Sequence, residues 1–254
     1  EGIWEQSGLK LPLTLEPREA EHIGFKRPQE PKPPYPYREE EVVYPNQEAG
    51  IDLAGTFTKP QGEGPFPAVI LISGSGPQDR NEEIMGHKPF LVLADYLTRR
   101  GIAVLRVDDR GVGASGGDFA AATTLDFATD VAAGVEYLQT RKDVNPDQIG
   151  LIGHSEGGLI APLVASDNPA VAFIVLMAAP GLNGEEISVL QSALIQKAGG
   201  IPEDQIEREV ELLQEVLAIN RTEDNVEKIA DLIREAILTR VAELSAEEQE
   251  LVGD

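Results

Sequence analysis

Two places in this 254-residue chain fit Gly-x-Ser-x-Gly: Gly113, Ser115, Gly117 and Gly153, Ser155, Gly157. A serine acts as a nucleophile when it stands on a sharp turn between a buried strand and a helix, where the next backbone N–H faces the oxyanion that forms on attack. Small residues two positions to either side let strand and helix close in around that strained turn. Ser155 has this setting, because the apolar run "IGLIGH" leads up to it and a helical pattern opens at Glu156. Ser115 lacks it: Asp109 to Gly113 already form a loop after the preceding apolar run, so Ser115 reads as a loop or N-cap serine.

An oxyanion needs donors, and "LISGSGPQDRN" supplies a candidate loop where an apolar strand ends in Gly74, Ser75 and Gly76. Its backbone N–H groups can turn inward, with Ser75 the first candidate and Gly76 the second, to act beside the Glu156 N–H. Asp79, Arg80 and Asn81 intervene before any helix, which argues against a phosphate cradle.

Other chemistry-bearing residues read as structural. Asp108, Asp109 and Arg110 close a strand at the sheet edge where α/β folds place their sites, and they suggest a turn held by an Asp–Arg pair. No second carboxylate cluster accompanies them to complete a metal site. The histidines are His22, His87 and His154. His87, just before a helical pattern, is expected to make a capping or structural hydrogen bond rather than to act as a base.

These residues need a scaffold, and the hydrophobic pattern outlines one. "GIWEQSGLKLPLTLEP" alternates around a Ser-Gly turn as a hairpin, and Pro28, Pro31, Pro33, Pro34 and Pro36 mark an extended linker. "EEEVVYPNQEAGIDLAGTFTKP" predicts two strands and a turn. From "FPAVILISG" onward, apolar strands alternate with helical patterns as far as "AFIVLMAAPG", which implies a mostly parallel sheet with right-handed crossovers. After Gly181 the pattern is amphipathic and helical, rich in acidic residues, with no further apolar strand.

Composition bounds the function. A net charge of −23 argues against nucleic acid and anionic membrane surfaces as partners. Without cysteine there is no disulfide, thiolate metal site or cysteine nucleophile. The longest apolar run falls well short of the roughly 20 residues a membrane helix needs. The chain begins at Glu1 without a leader pattern, so its true N-terminus is expected to lie outside this sequence, and cytoplasmic and exported locations stay open.

"GSGPQDRNE", "GHKPFLVLADYLTRRGIAVLRVDDRGVGAS" and "IGLIGHSEGGLIAP", in this order and spacing, resemble the bacterial α/β-hydrolase esterases with an N-terminal β domain and a helical cap. The resemblance covers about 40 to 181. It implies residues 1–20 as the remnant of the β domain, 21–38 as linker, 39–181 as the N-terminal part of the α/β-hydrolase core and 182–254 as cap. It further implies Ser155 as nucleophile, with the N–H groups of Ser75 or Gly76 and Glu156 as oxyanion hole, no cofactor, and a small-molecule ester as substrate. In this fold the triad runs Ser, acid, His along the chain, yet no histidine follows His154. The acid and histidine are therefore expected in a C-terminal remainder of the same protein, with the sheet incomplete at that end. Thioesterase or peptidase chemistry, a non-catalytic binding domain of this fold, and homo-oligomer formation all stay open.

Overall fold

The computed structural model describes residues 2–6, 9–13, 26–223 and 225–243. The chain divides into two compact units, one of 24–180 and one that joins 1–23 to 181–254.

In the second of these, β1 (Gly2–Gln6) and β2 (Leu9–Leu13) pair antiparallel, Gly2 opposite Leu13. The expected Ser7-Gly8 turn, residues 14–25 with His22, and residues 244–254 lie outside the described residues.

The unit of 24–180 is built on a six-stranded sheet. Strands β3 (Arg38–Asn46) and β4 (Ile51–Lys59) form an antiparallel hairpin. β5 (Phe66–Ile72), α1 (Pro89–Thr98), β6 (Ala103–Val107), α2 (Thr124–Thr140), β7 (Val144–His154), α3 (Gly157–Asp167) and β8 (Val171–Met177) follow in strict alternation. The order across the sheet is β3-β4-β6-β5-β7-β8, with β6, β5, β7 and β8 mutually parallel. β5 is central because it is apolar on both faces. Ala68, Ile70 and Ile72 pack with Leu53, Leu105, Val135 and Leu151 on one face, while Val69 and Leu71 meet Phe90, Ala94 and Val104 on the other. Each fully buried side chain of this size contributes about 1.5–3 kcal/mol.

Local signals fix the helices. Pro89 opens α1 at a position whose N–H would be unpaired in any case, and Gly101, at φ +93°, ends the turn that follows. Thr123 and Asp126 form a reciprocal capping box at the start of α2. β8 stands last in the order, and five of its seven residues are exposed, among them Phe173, Val175, Leu176 and Met177. Among the described residues it pairs with β7 alone and is therefore the outermost strand, exposed rather than buried.

The segment after Gly181 forms α4 (Gly184–Ala198), α5 (Glu203–Thr222) and α6 (Val226–Glu243), with α5 packed against both of the others. Asn183 caps α4 by accepting the Glu186 N–H at 2.9 Å. Arg221 pairs with Glu185 at 3.2 Å and Arg240 with Glu211 at 3.3 Å. No helix of the described residues is long and apolar enough to cross a membrane.

Candidate active site

The strand-to-helix turn at Ser155 is built by close backbone contact. Ser155 has φ +50°, a left-handed conformation that costs a non-glycine residue about 1–3 kcal/mol and persists only where the surroundings enforce it. They do so here: the Ser155 N–H donates to Met177 O at 2.9 Å, and its carbonyl accepts the Gly158 N–H at 2.9 Å. A Cβ at Gly153 would lie 2.0 Å from Gly157 O, and one at Gly157 would lie 2.3 Å from Ile72 O. Glycine at both places lets β7, α3 and the exit of β5 meet backbone to backbone.

That exit is the Ser73–Gln78 loop. A Cβ on Gly74 would lie 3.1 Å from Ser155 Cβ, so the loop runs directly past the serine. The Gly74 N–H is already committed, donating to Glu82 Oε1 at 2.8 Å. By contrast, the N–H groups of Ser75, Gly76 and Glu156 find no acceptor among the described residues. The fold thus brings all four residues singled out in the sequence to one place and leaves three amide donors unspent.

Two carboxylates brace the loop from behind. Asp109 accepts the Ser73 hydroxyl at 2.7 Å and the Gln78 N–H at 2.9 Å. Burial pushes its pKa up to about 6 although both of those bonds lower it, and the charges of Asp130 and Glu156 add to the rise. Glu82, only 6 % exposed, takes the Gly74 N–H and lies 2.7 Å from His154 Nδ1 through the same Oε1. Beneath the loop, Gly74, Gly76, Asp109 and Glu156 border a cavity of about 50 Å³, enough for a water molecule.

The remaining candidates are structural. Ser115 is buried; its Oγ accepts the Ala54 N–H at 3.0 Å and donates to Asp108 O at 2.7 Å. His87 Nδ1 lies 3.1 Å from Glu30 Oε1, which also accepts the Lys88 N–H at the start of α1. The expected Asp–Arg pair within residues 108–110 is not formed. Asp108 instead holds Arg80 in a fork at 3.0 and 2.7 Å, and Arg110 grips Asp130 at 2.7 and 2.9 Å. Guanidinium and carboxylate planes match best in this two-bond geometry, and here each side chain reaches it with a partner that folding brings in from another segment. Neither His87 nor His154 hydrogen-bonds Ser155. Among the described residues no group of three or more His, Cys, Asp or Glu is placed to hold a metal ion.

Glu82 and the bracing role of Asp109 have no signature in the sequence. Glu82 lies 72 positions from His154 in a polar loop without periodicity, and only its place within "GSGPQDRNE" sets it apart.

The Hydrolase_4 family, described as serine aminopeptidase, S33, matches residues 88–231, more than half of the chain. The chain belongs to this S33 family. An S33 member with an elbow of this kind is expected to share the α/β-hydrolase fold, and the solved structures bear this out. The α/β hydrolase GrgF from Penicillium superposes with a TM-score of 0.50 at 20 % identity, over 74 % of this chain and 69 % of that one. Hypothetical protein PA2218 from Pseudomonas aeruginosa does so with 0.51 at 19 % identity, over 75 % and 61 %. Among curated proteins, the S33 chain is 35 % identical to esterase EstD of Thermotoga maritima over 147 residues, which is 58 % of this chain and 35 % of EstD. It therefore spans about a third of that relative's length.

Proposed function

We propose that this protein is a serine hydrolase of carboxylesterase type that cleaves small acyl esters through an acyl-enzyme on Ser155. The observation that carries the reading is the strained elbow at Ser155 with the Gly74 backbone against it and the Ser75, Gly76 and Glu156 amides unspent. Ser155 Oγ attacks the ester carbonyl while a base takes its proton. The resulting O⁻ rests between the Glu156 N–H and that of Ser75 or Gly76. Collapse of the tetrahedral intermediate expels the alcohol, which receives the proton from the base, and water then hydrolyses the acyl-enzyme by the same steps. The base and its acid belong to a C-terminal remainder of the same protein; neither described histidine hydrogen-bonds Ser155, and the triad order of this fold places both after the nucleophile.

The name of EstD favours ester substrates, whereas the family's description as serine aminopeptidase favours aminoacyl amides as the second reading. Rates on matched esters and aminoacyl amides separate the two. For the site itself, an organophosphonate should label Ser155 and not Ser115, and Ser155→Ala should abolish labelling. Peptide mapping that put the adduct on Ser115 would overturn the assignment.

A further inference from the structure

The strongest unassigned feature is the carboxylate of Glu82. It is buried, and its backbone is held at φ +51°, a conformation rare for a residue with a Cβ. The loop that carries it is fixed at several points. Glu82 N–H donates to Asp79 O at 2.9 Å, Asp79 Oδ1 accepts the amides of Asn81 and Glu83, and Arg80 is forked onto Asp108. These contacts aim one oxygen, Oε1, at two groups that belong to different halves of the candidate site. Gly74 N–H comes from the oxyanion loop, and His154 Nδ1 from the residue immediately before Ser155. A Cβ on Gly74 would stand 3.1 Å from Ser155 Cβ and 3.4 Å from both Glu82 Oε1 and His154 Nδ1, so the four residues form one contiguous cluster.

We infer that Glu82 is a positioning residue that ties the oxyanion loop to the nucleophile turn through His154. The inference rests on the reading of Ser155 as nucleophile and adds residues to it. By engaging the Gly74 N–H, Glu82 removes that amide from competition and rotates the next peptides so that Ser75 and Gly76 present theirs. By accepting from His154, it requires the proton on Nδ1 and fixes the ring. The distance between the donors on the loop and the Glu156 N–H is then set by a shared acceptor rather than by a flexible glycine stretch. Misplacing such donors by an ångström costs a large factor in rate, because their contribution depends on being in place before charge develops.

The test uses the active protein, with sites counted by phosphonate titration. Glu82→Ala should lower kcat per titrated site about 10- to 100-fold with KM little changed, and Glu82→Gln, whose amide oxygen can still accept both bonds, should recover most of it. Should the alanine variant not fold, Glu82→Asp, one methylene short of both donors, is read in the same way. A purely structural role predicts fewer titratable sites with unchanged kcat at each, and that result would overturn the proposal. Independently of activity, the ¹⁵N resonances of His154 should report a proton on Nδ1 in the wild type and its loss in Glu82→Ala; a tautomer indifferent to Glu82 would also overturn it. Failure of the wild type to label at Ser155 would instead reject the catalytic reading, while the His154 tautomer would still decide the contact.

Discussion

The Ser73 hydroxyl donates to Asp109 Oδ1 at 2.7 Å, and because the other oxygen of Asp109 accepts the Gln78 N–H, one half-buried side chain clasps both ends of the Ser73–Gln78 loop. Burial raises its pKa from the ordinary 3.8 to about 6. The folded protein thus holds this proton more tightly than the unfolded chain does. The favourable contribution is complete below about pH 3.8 and is lost as pH rises through about 6, a change of about 3 kcal/mol. Asp109→Asn should remove that change. Urea denaturation of both proteins between pH 4.5 and pH 7 checks it; parallel stability profiles would refute the assignment.

Asp108, the next residue back, has the opposite sign. Burial alone would raise its pKa, but the hydrogen bonds from the Arg80 side chain and from the Arg80 and Ala114 amides outweigh burial and hold it below the usual range. Its stabilisation is present above the ordinary carboxylate range and is lost as pH falls through the depressed pKa. Arg80→Ala strands this carboxylate and should cost about 3 kcal/mol, with Arg80→Lys restoring little because lysine cannot fork. A measured loss below about 1 kcal/mol would count against the pair's importance.

Gly157→Ala should be severe, since the new methyl would meet Ile72 O at 2.3 Å and Ser73 O at 2.7 Å, both of them backbone atoms. We expect a loss of at least about 3 kcal/mol or a displaced turn that no longer labels at Ser155. Gly184→Ala is the control: nothing lies within 4 Å of its Cβ position at the start of α4, and stability should be unchanged or gain up to about 1 kcal/mol. Thermal melts of the two variants make the comparison.

Ser115→Ala separates the two Gly-x-Ser-x-Gly sites by energetics. Its hydroxyl links Ala54 N–H to Asp108 O, and removing it leaves both buried groups short of a partner, a cost of about 1–3 kcal/mol. The rate of phosphonate labelling at Ser155 should not change in the folded variant. A slowed rate would mean that the Ser115 loop shapes the site after all.

The alternation of strands and helices from Phe66 to Met177 was legible because the strands carry apolar runs such as "AVILI" and "IGLIGH" and because Gly101 stops α1 and Thr123 caps α2, whereas the polar first half of β7, "VNPDQ", gave no strand signal. The choice of Ser155 over Ser115 as candidate rested on the same local context. Ion-pair partners were not legible. Arg80 reaches Asp108 across 28 positions and Arg110 reaches Asp130 across 20, so spacing along the chain favoured a false pair of neighbours. Glu82 and His154 lay further beyond local reasoning, since only the folded sheet brings the β5 exit beside the end of β7. The exposure of β8 depends on its being last in the strand order, which a run of apolar letters does not encode.

The bond from Ser155 N–H to Met177 O gives the site a clock of its own. Met177 ends β8, the outermost strand among the described residues, and a strand paired on one side opens to solvent more often than strands paired on both. The Ser155 amide should therefore exchange its hydrogen for deuterium at the pace of β8 fraying, well ahead of the amides of β5, and any molecule that quiets the edge should slow it. A serine held at φ +50° partly by the end of β8 has a turn geometry tied to whatever steadies that strand, a further strand from a C-terminal remainder included.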